Sequence, residues 1–168
     1  LWTVVSALEL GVPVPTIYAS LNARVMSSLK EQRSEIENNL NPIQINNFDL
    51  GDISNSMKPL FDAVVLSTIA SYAQGMDILR EASAVYEYNL DMPSIAQIWK
   101  GGCIIRSTLL RRIQDAYKKD PNLKNLVFDS WFNNEISNKI DNLSYVVSSA
   151  SRSGIPIPCL SSTLDYLN

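Results

Sequence analysis

Residues 57–76 read MKPLFDAVVLSTIASYAQGM, and this stretch decides the fold. Met57, Leu60, Phe61, Val64, Val65, Thr68, Ile69, Tyr72, Ala73 and Met76 recur at helical spacing, which puts them on one face of an α-helix. No charge falls between Ala63 and Met76, and Asp77, Arg80 and Glu81 then return the chain to water. A helix that is apolar nearly all round belongs inside a bundle. This one is predicted to run from about Met57 to Tyr88, longer than most globular helices.

Outward from that spine the punctuation is also helical. Pro93 opens a short helix leading to Trp99, Gly101-Gly102 interrupts it, and Cys103 to Tyr117 continues as a helix with Arg111 and Arg112 outward. Asp120-Pro121 reads as a cap followed by a first-turn proline, after a helix closed by Lys118 and Lys119. Asn41-Pro42 ends an earlier helix, and Ile43 to Ser56 reads as a linker or excursion.

An internal repeat frames the whole. Trp2-Thr3-Val4-Val5-Ser6-Ala7 is echoed by Tyr145-Val146-Val147-Ser148-Ser149-Ala150. Gly11-Val12-Pro13-Val14-Pro15 returns at the same offset as Gly154-Ile155-Pro156-Ile157-Pro158, and Leu21 and Leu164 continue the register. Each glycine supplies the left-handed residue that stops a helix. Each residue before a proline is pushed into an extended conformation, and the second proline suits a first helical turn. The expected fold is all-α: a helical bundle with two related helix–Gly–extended connector–helix units.

Composition excludes several functions. With 46% hydrophobic residues the 168-residue chain can build a sizeable core, while its 18% charged residues leave little surface that must face water. That balance points to an oligomer or to a domain taken from its neighbours. A net charge of −3 with scattered Lys and Arg argues against nucleic acid. No apolar run reaches the length of a membrane span, and no signal peptide is visible before Leu1-Trp2; a chain that begins in mid-pattern reads as cut.

The absence of histidine removes Ser-His-Asp and Cys-His relays and histidine-ligated metal sites. Two cysteines, Cys103 and Cys159, are too few for a four-cysteine zinc site and read as reduced, packed thiols in a cytosolic protein. Cys159 follows Pro158 at an expected helix start, without a basic neighbour to activate it.

Among the acids, Glu9, Asp62, Asp77, Glu81 and Glu87 show no catalytic pairing, and Asp77, Arg80 and Glu81 form an ordinary solvated face. Gly101-Gly102 fits either an anion nest before the helix holding Arg106 or, more simply, a turn or close helix contact. Trp2, Trp99 and Trp131 read as core or interface. Arg24 is the most informative charge. Ser20, Ser27 and Ser28 share its side of a helix, opposite Leu21, Val25 and Leu29, an arrangement suited to a phosphate or carboxylate and equally to a surface ion pair.

Taken together, five blocks resemble the C-terminal helical domain of decarboxylating 6-phosphogluconate dehydrogenases. They are Trp2-Thr3 with Ser6-Ala7-Leu8-Glu9 and Gly11-Val12-Pro13; Ala23-Arg24 with Ser27-Ser28-Leu29-Lys30; Ser71-Tyr72-Ala73-Gln74-Gly75; Trp99-Lys100-Gly101-Gly102-Cys103-Ile104-Ile105-Arg106-Ser107; and Gly154 to Cys159. They occur in family order and span nearly the whole chain, and the Trp99–Ser107 block is the most specific.

The resemblance implies a cytoplasmic, metal-independent, homodimeric enzyme of the pentose phosphate pathway. Such enzymes use NADP to oxidise and decarboxylate 6-phosphogluconate to ribulose 5-phosphate. It implies that residues 1–168 are part of the substrate-binding and dimerisation domain, without the Rossmann domain or the C-terminal tail. No catalytic or cofactor-binding residue of the family then falls in this chain. Its general-base lysine, general-acid glutamate and a phosphate-binding lysine lie upstream, and the partner-derived arginine and histidine lie downstream.

Only Arg24 matches a family substrate contact, to the sugar phosphate. At Leu1 many relatives carry a basic residue, so the field near the site is weaker here. The fragment alone is expected to be inactive and prone to associate. The alternatives are a non-catalytic helical dimerisation or interaction module, and a dehydrogenase of another hydroxy acid.

Overall fold

A computed structural model describes residues 1–39, 53–102, 104–105 and 107–168, with side chains described from Met57 onward in the second span. The described residues form eight α-helices and a single 3-10 turn, and no strand. The helices are α1 (Trp2–Glu9), α2 (Pro15–Ser28), α3 (Lys30–Asn39), α4 (Ile53–Val85), α5 (Met92–Lys100), α6 (Leu109–Lys119), α7 (Ser130–Arg152) and α8 (Pro158–Leu167). The excursion expected over Ile43 to Ser56 lies outside the described residues up to position 52; from Ile53 the backbone is already α4.

Two compact units divide the chain. One holds Leu1–Val14 and Ser71–Ser137, the other Pro15–Ala70 and Asn138–Asn168, so α4 and α7 each contribute to both. In the first unit the pairing of α5 with α6 is the most extensive, and Tyr117, Phe132, Leu110, Ile113 and Leu126 are fully buried. In the second, α2 pairs with α8. Leu66, Ile69, Leu143 and Val146 form its interior, each worth about 2 kcal/mol or more of apolar transfer when fully buried.

The repeat is real in three dimensions. α1 ends with Gly11 N–H donating to Leu8 O (3.2 Å) and Val12 N–H to Ala7 O (2.8 Å). α7 ends with Gly154 N–H donating to Ser151 O (3.2 Å) and Ile155 N–H to Ala150 O (2.9 Å). Both are Schellman closures, with glycine φ of 68° and 70°. Each is followed by a connector and a helix whose first residue is the second proline, Pro15 or Pro158.

Elsewhere the elements differ from expectation. α4 stops at Val85, short of Tyr88, because Glu87 adopts φ 56° and Tyr88 N–H closes on Ser83 O. This is the same closure with a non-glycine residue in the left-handed position. The buried face of α4 is also rotated: Ala63, Leu66, Ile69, Ala70, Ala73 and Met76 are inside, whereas Met57, Phe61 and Val64 are exposed. A helix apolar on every side gives the sequence no means of choosing its inner face.

The helix expected from Cys103 begins only at Leu109, after Gly102 turns the chain with φ 86° and Ser107 Oγ accepts from Leu109 N–H. Asp120 does not open a helix. It caps the end of α6 in an extended conformation and accepts from Asn122 N–H, as a residue before proline favours. The helix start lies at Asp129, whose Oδ1 accepts from Trp131 N–H (2.9 Å). Pro93 does open α5, behind an Asp91 cap.

Candidate functional site

Arg24 sits on the third turn of α2, the helix launched by the Gly11 corner. Pro15 pre-sets the first turn, and Thr16 and Ala19 lie toward the interior. Beyond Leu21 the helix is largely uncovered: Arg24 is exposed, and so are Val25, Met26 and Leu29 on the side expected to be apolar.

The guanidinium makes no ion pair or hydrogen bond with any described residue. Two of the hydroxyls expected beside it are committed elsewhere. Ser20 Oγ donates to Ile17 O and Ser28 Oγ to Val25 O, each at 2.7 Å. Serine on a helix habitually satisfies itself this way. The donor set offered to an anion is therefore Arg24 with Ser27, narrower than the spacing predicts.

The acids have structural roles where they have partners. Asp62 is buried and accepts from Lys58 Nζ (2.7 Å) and Asn142 Nδ2 (2.6 Å). Burial pushes its pKa up, but these hydrogen bonds and the charges of Lys58 and Lys139 outweigh that and hold it below the ordinary carboxylate value. Asp77 binds Arg80 through Nη2 (2.7 Å) and Nε (3.1 Å), with Glu81 3.4 Å from the same guanidinium. The hydrogen bond to Asp77 raises the Arg80 pKa against an opposing cost of burial. Glu9 and Glu87 are exposed.

Trp2 is 81% exposed, so it is not core in this chain. Trp131 is half-buried, edge-on to Phe132 and covered by the Arg112 guanidinium at 5.0 Å. Cys159 is a partly buried free thiol at the second position of α8. Cys103 and Arg106 lie outside the described residues. Among the described residues no three His, Cys, Asp or Glu side chains gather into a metal-binding group, and no helix is long and apolar enough to cross a membrane.

The 6-phosphogluconate dehydrogenase C-terminal domain model matches residues 1–168, every residue of the chain. The chain belongs to that family. It is 44% identical over 167 residues to the decarboxylating 6-phosphogluconate dehydrogenase of Synechocystis, covering 99% of this chain and 34% of that protein. The human enzyme of the same name is 40% identical over 165 residues, 98% of this chain and 34% of that one. A Plasmodium falciparum 6-phosphogluconate dehydrogenase, solved in apo form and with NADP+ and 6-phosphogluconate, superposes with a TM-score of 0.92 at 39% identity. That match covers 98% of this chain and 35% of the other. The chain therefore spans about a third of the length of these relatives.

Sequence reasoning singles out Arg24, which the structure leaves exposed, and does not anticipate two features. Asn142 anchors buried Asp62 from a position far away in sequence, and no local pattern announces the pair. Lys100, Ser107, Thr108 and Arg111 line an open cleft, and sequence spacing does not announce them as a group.

Proposed function

We propose that this chain is the helical, substrate-binding part of an enzyme that oxidises and decarboxylates 6-phosphogluconate to ribulose 5-phosphate with NADP, and that Arg24 binds the substrate phosphate. One observation carries the assignment of Arg24. It is an exposed guanidinium with no partner among the described residues, on a helix positioned by the Gly11 corner, in a family with a solved member that bound 6-phosphogluconate. A planar, permanently charged, bidentate donor suits a phosphate dianion.

No strand–glycine loop–helix cradle for a dinucleotide occurs among the described residues, so cofactor binding and hydride transfer are assigned to parts of the enzyme other than residues 1–168. Residues 1–168 are then part of the substrate-binding and dimerisation domain. The exposed stripes Trp2, Val5, Leu8 and Met57, Phe61, Val64 support a homodimer and contacts with the rest of the protein, because apolar faces of this extent are normally covered. A cytoplasmic location goes with the same activity.

The test uses the full-length gene product. Arg24→Ala should raise KM for 6-phosphogluconate about 100-fold, the loss of a charge-assisted bidentate contact of about 3 kcal/mol. The melting temperature and the KM for NADP should stay unchanged. An unaltered KM for 6-phosphogluconate would remove Arg24 from the site. A full-length protein with no turnover at all would instead favour a non-catalytic helical module.

A further inference from the structure

The cleft between the end of α5 and the start of α6 has a volume of about 640 Å³ and is lined, among the described residues, by Lys100, Ser107, Thr108 and Arg111. Neither of its two cations has an acidic partner among the described residues. Arg111 makes no hydrogen bond or ion pair with any described residue, and Lys100 Nζ reaches only the neutral Gln97 Oε1 at 3.2 Å. The adjacent Arg112 shows the contrast, since its charge is spent on the face of Trp131.

Both hydroxyls retain a proton to give. Ser107 Oγ accepts from Leu109 N–H at 3.1 Å, which leaves its own O–H free, and the Thr108 side chain caps nothing. The first turn of α6 holds no acid, so the positive end of that helix adds to the same field.

The paired glycines point the same way. A Cβ on Gly102 would meet nothing within 4 Å, and one on Gly101 only the Ile98 carbonyl at 3.5 Å. Among the described residues, no other element approaches either glycine closely. Gly102, with φ 86°, takes the left-handed conformation just after Lys100, and Lys100 and Arg111 line one cleft.

We propose that this cleft binds a small phosphate ester, with Lys100 and Arg111 neutralising the dianion and Ser107 and Thr108 donating to its oxygens. Two positive charges with two hydroxyl donors match a phosphomonoester better than a single carboxylate. The volume, within the usual range for small-ligand sites, leaves room for an organic body beyond the phosphate. The assignment is independent of the role given to Arg24.

The experiment is equilibrium dialysis of radiolabelled inorganic phosphate against the full-length protein carrying Arg24→Ala, so that phosphate held by Arg24 is not counted. Adding Lys100→Gln with Arg111→Gln should remove one phosphate equivalent per chain, or weaken it at least 10-fold. The charge-keeping pair Lys100→Arg with Arg111→Lys should stay within about 3-fold, because the charge is conserved and only the fork geometry changes. Thr108→Val, which removes one hydroxyl from the helix start, should weaken binding several-fold and serves if the double variant fails to fold. Phosphate binding unchanged by these substitutions, or absent from the parent, overturns the proposal.

Discussion

The Gly11 and Gly154 corners close their helices alike, yet they serve different ends. Each has the same pair of Schellman hydrogen bonds, a glycine near φ 70°, and a proline that begins the next helix. The second corner lies within one compact unit, whereas the first joins α1 of one unit to α2 of the other. After the second corner, α8 buries Thr163. After the first, α2 extends into solvent and carries Arg24 where the repeat places Leu167 at the end of α8. Two like corners thus lead into helices that differ at this position, and the difference is the side chain for which phosphate binding is proposed.

Replacing the two glycines tests the equivalence most severely. Gly11→Ala and Gly154→Ala each force an alanine into a left-handed conformation, so each should lower stability by about 1–2 kcal/mol, read from denaturant midpoints. At Gly11 the space is open, so the penalty there is conformational alone. The two variants should part company in kinetics. Gly11→Ala displaces the helix bearing Arg24 and should raise KM for 6-phosphogluconate several-fold, while Gly154→Ala should leave it unchanged. Equal kinetic effects would mean that α2 has no special role.

The repeat was legible because glycine and proline mark its backbone states directly. The third closure of the same kind, at Glu87, was illegible for the complementary reason: a residue that normally avoids positive φ occupies the position, held by Tyr88 N–H donating to Ser83 O and by Leu90 N–H donating to Ser83 Oγ. Asp120-Pro121 carried a start signal that was not used: Asp120 instead closes α6 and accepts from Asn122 N–H, and the next α-helix follows Asp129. Arg24 stood out as an isolated charge among serines, but sequence cannot show that Ser20 and Ser28 turn back onto their own helix. Lys100 and Arg111 were unreadable as a pair, since they end and begin different helices, and only the packing of α5 with α6 shows that they line one cleft.

Acid should separate the lead-in helices of the two corners. In the second unit α7 is tied to α4 by Asn142 on buried Asp62, where Lys58 also donates. The folded-state pKa of Asp62 is depressed, so its contribution is fully present above the unfolded value of about 3.9 and is lost as pH falls through the lower folded value. Asp62→Asn keeps the shape and removes the charge. It should cost about 1 kcal/mol at pH 7, discounted because Lys58 is largely exposed. It should also flatten the fall in stability below pH 4 that is expected of the unmodified protein, read from urea titrations. A variant with the unmodified acid profile would place the acid sensitivity elsewhere.

The smallest effect addresses how far each corner stands alone. Thr16 and Thr163, both buried, meet hydroxyl to hydroxyl at 3.2 Å where α2 pairs with α8. Thr163 also donates to Cys159 O or Ser67 Oγ, so loss of the Thr16 hydroxyl leaves it satisfied. Thr16→Val should therefore cost only about 0.5–1 kcal/mol, less than either glycine substitution. Combined with Gly154→Ala, the two losses should add to within about 0.5 kcal/mol if the corner is held by its own backbone bonds. A coupling well above that would show that the copies stabilise each other through the threonine contact, and that the corner hydrogen bonds alone do not set the direction of α2.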